Sequence, residues 1–167
     1  IPPSTYPAWR VYATGKKPKN IKSFYWFSFD KNRKTIIPLG RSFREKCLWD
    51  TLTDYGLKSL IVNIPTIPKP TSLLYGIYIG GFPFSDDENF TKPQFVKKYI
   101  QKKYNYRVEP SEYLSKLPKI SSEKLRKLKK RIVSKYISII KSRFDVAMDF
   151  MHAINPNFIN ITIFYMD

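Results

Sequence analysis

The sequence predicts an α/β domain built around a mostly parallel β-sheet. Short apolar runs of strand length alternate with stretches of helical periodicity, and a helix followed by a buried strand is typical of parallel sheets. The chain has 167 residues, of which 43% are apolar. That is enough for one sizeable core but hardly for two independent cores. We therefore predict a single domain over residues 1–167.

The first predicted elements are a helix, a loop and a strand. A helix is predicted over about residues 5–14, because Thr5 is a common N-cap residue and Pro7 is tolerated in a first turn. The polar stretch 15–23 predicts a loop. The aromatic run FYWFSF at 24–29 predicts a strand or a substrate-facing wall.

The middle of the chain predicts a helix and two buried strands. Apolar residues recur at helical spacing in REKCLWDTLTDYG, at 44–56, and a glycine ends the pattern. The run LKSLIVNIP at 57–65 predicts a strand closed by proline. The run GIYIGGF at 76–82 predicts another, whose glycines permit close approach of a backbone or a ligand.

A long amphipathic helix and a final strand are predicted next. Ser121 and Ser122 supply a start signal, and Asn155 followed by proline ends the pattern. One long helix or a kinked pair fits the spacing. The predicted apolar series is Leu125, Leu128, Ile132, Tyr136, Ile139, Phe144, Ala147, Met151 and Ile154. The run NFINITIFYMD at 157–167 predicts a strand that ends on Asp167.

Most of the positive charge is local. The chain carries a net charge of +17, and residues 92–135 hold fifteen Lys and Arg against three acidic residues. Such a surplus favours polyanions, phosphate-bearing substrates or acidic membrane faces without choosing among them. We predict that 92–135 is a basic, helical, cap-like insertion that steers anionic substrates, with a solubilising surface as the alternative.

The same composition indicates a compartment. The chain has no apolar run near the ~18–20 residues of a membrane span, and no signal-peptide pattern. The single cysteine, Cys47, excludes an internal disulfide framework and is typical of a reducing compartment. We expect a cytoplasmic protein without a membrane span, in which Cys47 is a small buried apolar residue.

Two residues are candidates for chemistry. Ligands gather at the carboxyl ends of strands in open parallel sheets, so Asp167 is a candidate metal ligand or, alternatively, a solvent-facing carboxylate. Thr5 is an N-cap or a reactive alcohol. Both readings of Thr5 use a helix start, where backbone N–H groups suit phosphate oxygens.

Four segments resemble the type I phosphodiesterase/nucleotide pyrophosphatase family of the alkaline phosphatase superfamily, particularly its archaeal and bacterial members. They are IPPSTYPAW…YATGKKP, LWDTLTDYGLKSLIVNIP, GIYIGGF…ENFTKP and NITIFYMD, which together cover nearly the whole chain. The resemblance implies an alkaline-phosphatase-like three-layer sandwich. It implies a metal-dependent hydrolase of phosphate esters, with a small phosphate ester or a nucleotide as substrate.

The resemblance also implies roles for individual residues. Thr5, in a T-x-P turn, matches the nucleophile and metal-touching residue, and the family's TG…P stretch is matched by Thr14, Gly15 and Pro18. Asp167 matches a metal ligand. Two divalent ions are implied, zinc or alternatively manganese, with a phospho-threonine intermediate that water hydrolyses. Lys16 and Asn63 are the candidate substrate-binding residues.

The sequence also departs from the family. The His-Gly pair that follows the TG…P stretch is replaced by KNIKSF at 19–24, and further Asp and His ligands have no counterpart. We therefore expect these 167 residues to be an incomplete domain, inactive by itself. Sulfatase chemistry is disfavoured, because Trp9 stands where that frame needs arginine and Arg10 comes one place late.

The alternative is a basic nucleic-acid-binding module without catalysis. The positive charge and the aromatic runs FYWF at 24–27 and YNY at 104–106 favour it, since aromatic side chains stack on bases. The sequence shows no zinc-finger, RNP-type or helix-turn-helix signature.

Overall fold

The structure, a computed structural model, describes residues 5–21, 27–30, 34–38, 45–67, 69–70, 75–108 and 122–163. Its helices are α1 (Thr5–Thr14), α2 (Pro18–Ile21), α3 (Leu48–Asp54), α4 (Phe95–Tyr104) and α5 (Ser122–Ile154). Its strands are β1 (Phe27–Asp30), β2 (Thr35–Pro38), β3 (Ser59–Ile64), β4 (Gly76–Gly80), β5 (Thr91–Lys92) and β6 (Phe158–Ile161).

The described strands form a mixed four-stranded sheet and a separate hairpin. The sheet has the order β5-β4-β3-β6, with β3 parallel to both β4 and β6 and with β5 antiparallel to β4. All six residues of β3 are buried, as expected for a central strand that is covered on both faces. β1 and β2 pair antiparallel.

Helices α4 and α5 cover one face of the sheet. The strands contribute Leu60, Val62, Ile77 and Ile79 to this core, and the helices contribute Val96, Ile100, Val146, Ala147 and Phe150. Burying each large apolar side chain stabilises the fold by about 1.5–3 kcal/mol. This cluster is the larger of the two apolar clusters among the described residues.

Helices α1 and α3 lie against the opposite face. Ala13 of α1 and Trp49 of α3 pack with Ile61 and Tyr78 of the sheet. Cys47 belongs to the same cluster and is buried, which confirms that prediction. The predicted α/β class is confirmed, with helices on both faces of a mostly parallel sheet, whereas the alkaline-phosphatase-like topology stays a prediction.

The long helix begins and ends where the sequence predicts, and it is continuous over 33 residues. The side chains of Leu125 and Leu128 lie outside the described residues, and among the described members of the predicted apolar series one position was wrong. Phe144 is 43% exposed, whereas its neighbour Arg143 is fully buried. A spacing of three to five residues fits both Arg143 and Phe144. Arg143 takes the buried position because its guanidinium hydrogen-bonds to carbonyls of the interior.

Two further boundaries differ from the predictions. The stretch 15–23 contains the single helical turn of α2 rather than only a loop. Helix α3 begins at Leu48 because the Asp50 carboxylate accepts a hydrogen bond from the Cys47 backbone N–H at 2.9 Å and so caps its first turn. Of the run 24–29, only residues 27–29 lie among the described residues.

Candidate functional site

Helix α1, which begins at the candidate nucleophile Thr5, is anchored by its first turns. The side chain of Thr5 lies outside the described residues. Tyr6 and Arg10 are both buried, with the guanidinium carbon 4.3 Å from the centre of the phenol ring. Burial raises the pKa of Tyr6 to about 12, against the opposing effect of the Arg10 charge. A neutral phenol and a cation therefore hold this end of the helix in the interior.

The TG pair ends α1. The Thr14 hydroxyl donates to the Arg10 carbonyl at 2.7 Å, and the Gly15 N–H donates to the Val11 carbonyl at 2.8 Å. Gly15 has φ +67°, the left-handed conformation that ends many helices and favours glycine. Both residues of the TG pair thus have a structural reason for their identity.

Lys16, a candidate substrate-binding residue, is exposed just beyond this cap. Its ammonium pairs with the Glu45 carboxylate. An exposed ion pair of this kind contributes about 0–1 kcal/mol, so a stronger anion could displace the carboxylate at small cost. A substrate contact from Lys16 stays a prediction.

Asn63, the other candidate, lies near the carboxyl end of β3. It is buried, has φ +59°, and falls where the register between β3 and β4 shifts. Its Nδ2 donates to the Thr162 carbonyl at 2.9 Å, just beyond β6. A Cβ on Gly81 would lie 2.7 Å from the Asn63 carbonyl oxygen, so the glycine is required by this close approach. Asn63 joins two strand ends, and its contact with substrate stays a prediction.

Arg143 holds the same strand end from the α5 side. Its Nη1 donates to the Ile163 carbonyl at 3.1 Å and its Nη2 donates to the Val108 carbonyl at 2.9 Å. Sequence reasoning missed this residue. The available signal was an arginine at core spacing, four residues after Ile139 and three before Val146.

Thr66 marks the loop that follows β3. It is 1% exposed and has φ +63°, which is an outlier for a β-branched residue. Its N–H donates to the Phe82 carbonyl, in the loop that follows β4. Within the described ranges its Oγ1 has no hydrogen-bond partner. Strained backbone of this kind clusters at functional sites.

Helix α1 and strand β6 meet through one polar contact. Asn160 Nδ2 donates to the Tyr12 hydroxyl at 2.7 Å, joining residues 148 positions apart. Asp167 follows β6 and lies outside the described residues. The contact brings the helix that begins at Thr5 beside the strand that leads to Asp167.

The aromatic residues proposed to stack on bases are only partly accessible. Tyr106 of the YNY run is 1% exposed and stacks on Phe90 with ring centres 6.0 Å apart, so its predicted role in base stacking was wrong. Helix α4 instead presents Phe95 and Tyr99 at its surface, at 71% and 39% exposure. The run 24–26 lies outside the described residues.

The described residues contain no cluster of three or more His, Cys, Asp or Glu side chains that could hold a metal ion. The one histidine, His152, lies exposed in the last turn of α5, where a helix dipole favours a cation. Burial raises the pKa of Cys47 to about 12, which disfavours a thiolate ligand there. Across the described ranges, no helix combines the length and the apolar character that a membrane crossing needs.

Comparisons with known proteins leave the family open. No family model matches the chain, and neither a curated protein nor a solved structure matches it. The resemblance to the phosphodiesterase/nucleotide pyrophosphatase family therefore stays a prediction from the motifs quoted above.

Proposed function

We propose that the chain belongs to a metal-dependent phosphoric ester hydrolase of the phosphodiesterase/nucleotide pyrophosphatase type, with Thr5 as nucleophile. The hydrogen bond between Tyr12 and Asn160 carries the proposal, because it joins the helix that begins at Thr5 to the strand that precedes Asp167 in the sequence. Thr5 is seven residues from Tyr12, about 10 Å along a helix. Asp167 is seven residues from Asn160, a reach of at most about 25 Å.

The proposed reaction is a double displacement. The Thr5 hydroxyl oxygen attacks phosphorus as its proton passes to water, the bond from phosphorus to the leaving alkoxide breaks, the alkoxide takes up a proton from water, and a phospho-threonine forms. Water then attacks the same phosphorus, and the Thr5 oxygen leaves with a proton. Backbone N–H groups at the start of α1 bind the non-bridging phosphate oxygens.

Thr5 and Asp167 are the residues that would hold the metals. Their hydroxyl and carboxylate oxygens are donors of a type that zinc and manganese accept, but a zinc site takes about four ligands. The proposal therefore requires ligands beyond these two. When bound, the ions would lower the pKa of the attacking alcohol and stabilise the leaving oxygen.

The proposal is tested by hydrolysis of bis(p-nitrophenyl) phosphate in zinc or manganese. We expect turnover by the natural polypeptide that contains these residues and none by residues 1–167 alone. Thr5→Ala should lower kcat about 10³-fold or more, whereas Thr5→Ser, which keeps the hydroxyl, should retain part of the activity. Unchanged turnover by Thr5→Ala would overturn the proposed nucleophile.

A nucleic-acid-binding function is the second candidate. The exposed Phe95 and Tyr99 of α4 lie on the same helix as Lys98 and Lys102, which are also exposed. Binding of a single-stranded oligonucleotide that weakens steeply with salt and is unchanged by Thr5→Ala would favour this function. Loss of that binding in Phe95→Ala would locate the surface.

A further inference from the structure

Helix α5 carries a second row of apolar side chains on its exposed surface. Their exposed fractions lie between 37% and 60%. The row, which we call the outer seam, consists of Val133, Ile137, Ile140, Phe144 and Met148. None of these side chains belongs to the cores described above, so five large apolar groups face solvent along one helix.

The outer seam is separate from the core-facing side of α5. The side chains that face the core are Ile139, Arg143, Val146, Ala147 and Phe150. At 3.6 residues per turn, the centre of the outer seam lies about 120° around the helix from the centre of that row. A shift in the packing of α5 against the sheet would therefore not bury it.

The shape of the outer seam indicates what kind of surface covers it. Its residues are spaced by four, three, four and four positions and fall within an arc of about 80°. A narrow row of this kind is typical of a seam between two helices, whereas apolar faces that pack on a broad surface span at least about 100°. The spacing therefore favours a partner helix over a membrane surface.

Charge distinguishes between possible partner helices. Over its 33 residues, α5 holds nine Lys and Arg against three acidic residues. Lys130 and Arg131 are exposed in the turn that precedes the seam and Lys141 is exposed within it, against one exposed acidic residue within the seam, Asp145. A second copy of α5 would bring the same excess of positive charge into contact, which disfavours pairing between copies. Glutamates and aspartates beside the seam of a partner would instead be attracted.

We propose that the outer seam of α5 is a docking site for an amphipathic helix whose apolar row is flanked by acidic residues. Ile137, Ile140 and Phe144 form its centre. The seam supplies the apolar contact, and the exposed cations select the sign of the partner's charge. The proposal does not depend on Thr5 or on hydrolysis.

Fluorescence anisotropy with two synthetic peptides tests the proposal on residues 1–167. Both peptides have three heptads with leucine at positions a and d. The first carries glutamate at e and g, which keeps it from pairing with itself at pH 7, and the second carries lysine there. We expect the glutamate peptide to bind at least about 10-fold more tightly, with the difference reduced by salt.

Variants assign the binding to the seam. Ile137→Ser with Phe144→Ser should weaken binding of the glutamate peptide at least about 10-fold. Tyr55→Ser, at a more exposed large side chain just beyond the end of α3, is the matched control and should change it little. Lys130→Glu with Lys141→Glu should reverse the preference between the peptides. Circular dichroism checks that each variant keeps its helix content.

Other occupants would appear as distinct outcomes. Equal binding of both peptides, or binding unchanged by the seam variants, would overturn the proposal. Sedimentation that shows a dimer, disrupted by Ile137→Ser, would assign the seam to a second copy instead. Binding to vesicles containing phosphatidylserine, without binding to either peptide, would assign it to an anionic membrane and equally contradict the proposed helix.

Discussion

The two ends of the strand pair β3 and β6 are held together in different ways. At the carboxyl ends, the buried side chains of Asn63 and Arg143 donate to the carbonyls of Thr162 and Ile163. At the amino ends, the contacts are made by exposed residues of the connections that lead into the two strands. Backbone hydrogen bonds join both ends, including one from the Thr162 N–H to the Val62 carbonyl at the carboxyl ends. The two ends therefore differ in the burial of their side-chain contacts, which are buried at the carboxyl ends and exposed at the amino ends.

The amino ends show this clearly. The Lys58 carbonyl accepts from the N–H groups of Asn157 and Phe158 at 2.9 and 3.1 Å, and the Lys58 N–H donates to the Asn157 side chain at 3.0 Å. Lys58 and Asn157 are both exposed, so water can replace a lost side-chain contact. The carboxyl ends lack that substitute, and this is the edge at which ligands gather in parallel sheets.

The largest expected effect is that of Arg143→Met. This change removes the donors to the buried Val108 carbonyl and to the half-buried Ile163 carbonyl, while it keeps most of the side-chain volume. We expect a loss of about 3 kcal/mol in the free energy of unfolding, measured in urea. Arg143→Lys, which keeps the charge but lacks the fork of the guanidinium, should lose less. A loss smaller than that of the exposed substitution Asn157→Ala would contradict the distinction between the carboxyl ends and the amino ends of the two strands.

The next effect is that of Asn63. Asn63→Ala leaves the Thr162 carbonyl without this donor. It also places alanine, which adopts positive φ less readily than asparagine does, at φ +59°. We expect a loss of about 2–4 kcal/mol in the free energy of unfolding. Asn63→Gly removes the same hydrogen bond, but glycine adopts this positive φ without steric strain. Its loss in the free energy of unfolding should therefore be about 1 kcal/mol smaller than that of Asn63→Ala. Equal losses would show that the backbone conformation contributes nothing.

Asn157→Ala is the matched change at the amino ends. Asn157 also makes a cross-strand hydrogen bond through its side chain, but it is exposed. Because water can hydrogen-bond to the Lys58 N–H in its place, we expect less than about 1 kcal/mol of destabilisation. A loss as large as that of Asn63→Ala would contradict the distinction between the carboxyl ends and the amino ends.

The smallest effect concerns an exposed contact between α4 and α5, and it depends on pH. Hydrogen bonds from Tyr99, Tyr104 and Lys103 lower the pKa of Asp149 from 3.8 to about 2. A lowered pKa stabilises the folded state above the unfolded value, and this contribution is lost as the pH falls from about 4 to about 2. The melting temperature of Asp149→Asn should therefore be slightly below that of the unmodified chain at pH 7, and the difference should vanish near pH 2. A difference that persists at pH 2 would assign the effect to packing.

The elements of the fold were largely predictable from the sequence, and the side-chain contacts were not. Helix α5 begins at Ser122 and ends at Ile154 as predicted, because capping residues and proline act locally. Arg143 was missed because its partners, the carbonyls of Val108 and Ile163, are 35 and 20 residues away. Periodicity indicates which side of a helix faces the core, but it does not distinguish two adjacent residues near the border of that side.

The candidate site divides in the same way. The end of α1 at Thr14 and Gly15 follows from local chemistry, and its hydrogen bonds agree with the predicted helix. The polar contact between Tyr12 and Asn160 follows from the tertiary fold, and no pattern in the sequence indicated it. The roles of Thr5 and Asp167 stay predictions, derived from motif resemblance.

Trapping of a covalent intermediate tests the proposed hydrolase most directly. The natural polypeptide containing these residues is mixed with bis(p-nitrophenyl) phosphate and zinc, quenched in acid within the first turnover, digested and analysed by mass spectrometry. We expect a phosphoester on the peptide that contains Thr5, absent from Thr5→Ala. Turnover that proceeds without phosphoester on Thr5, or with phosphoester at another residue, would contradict it.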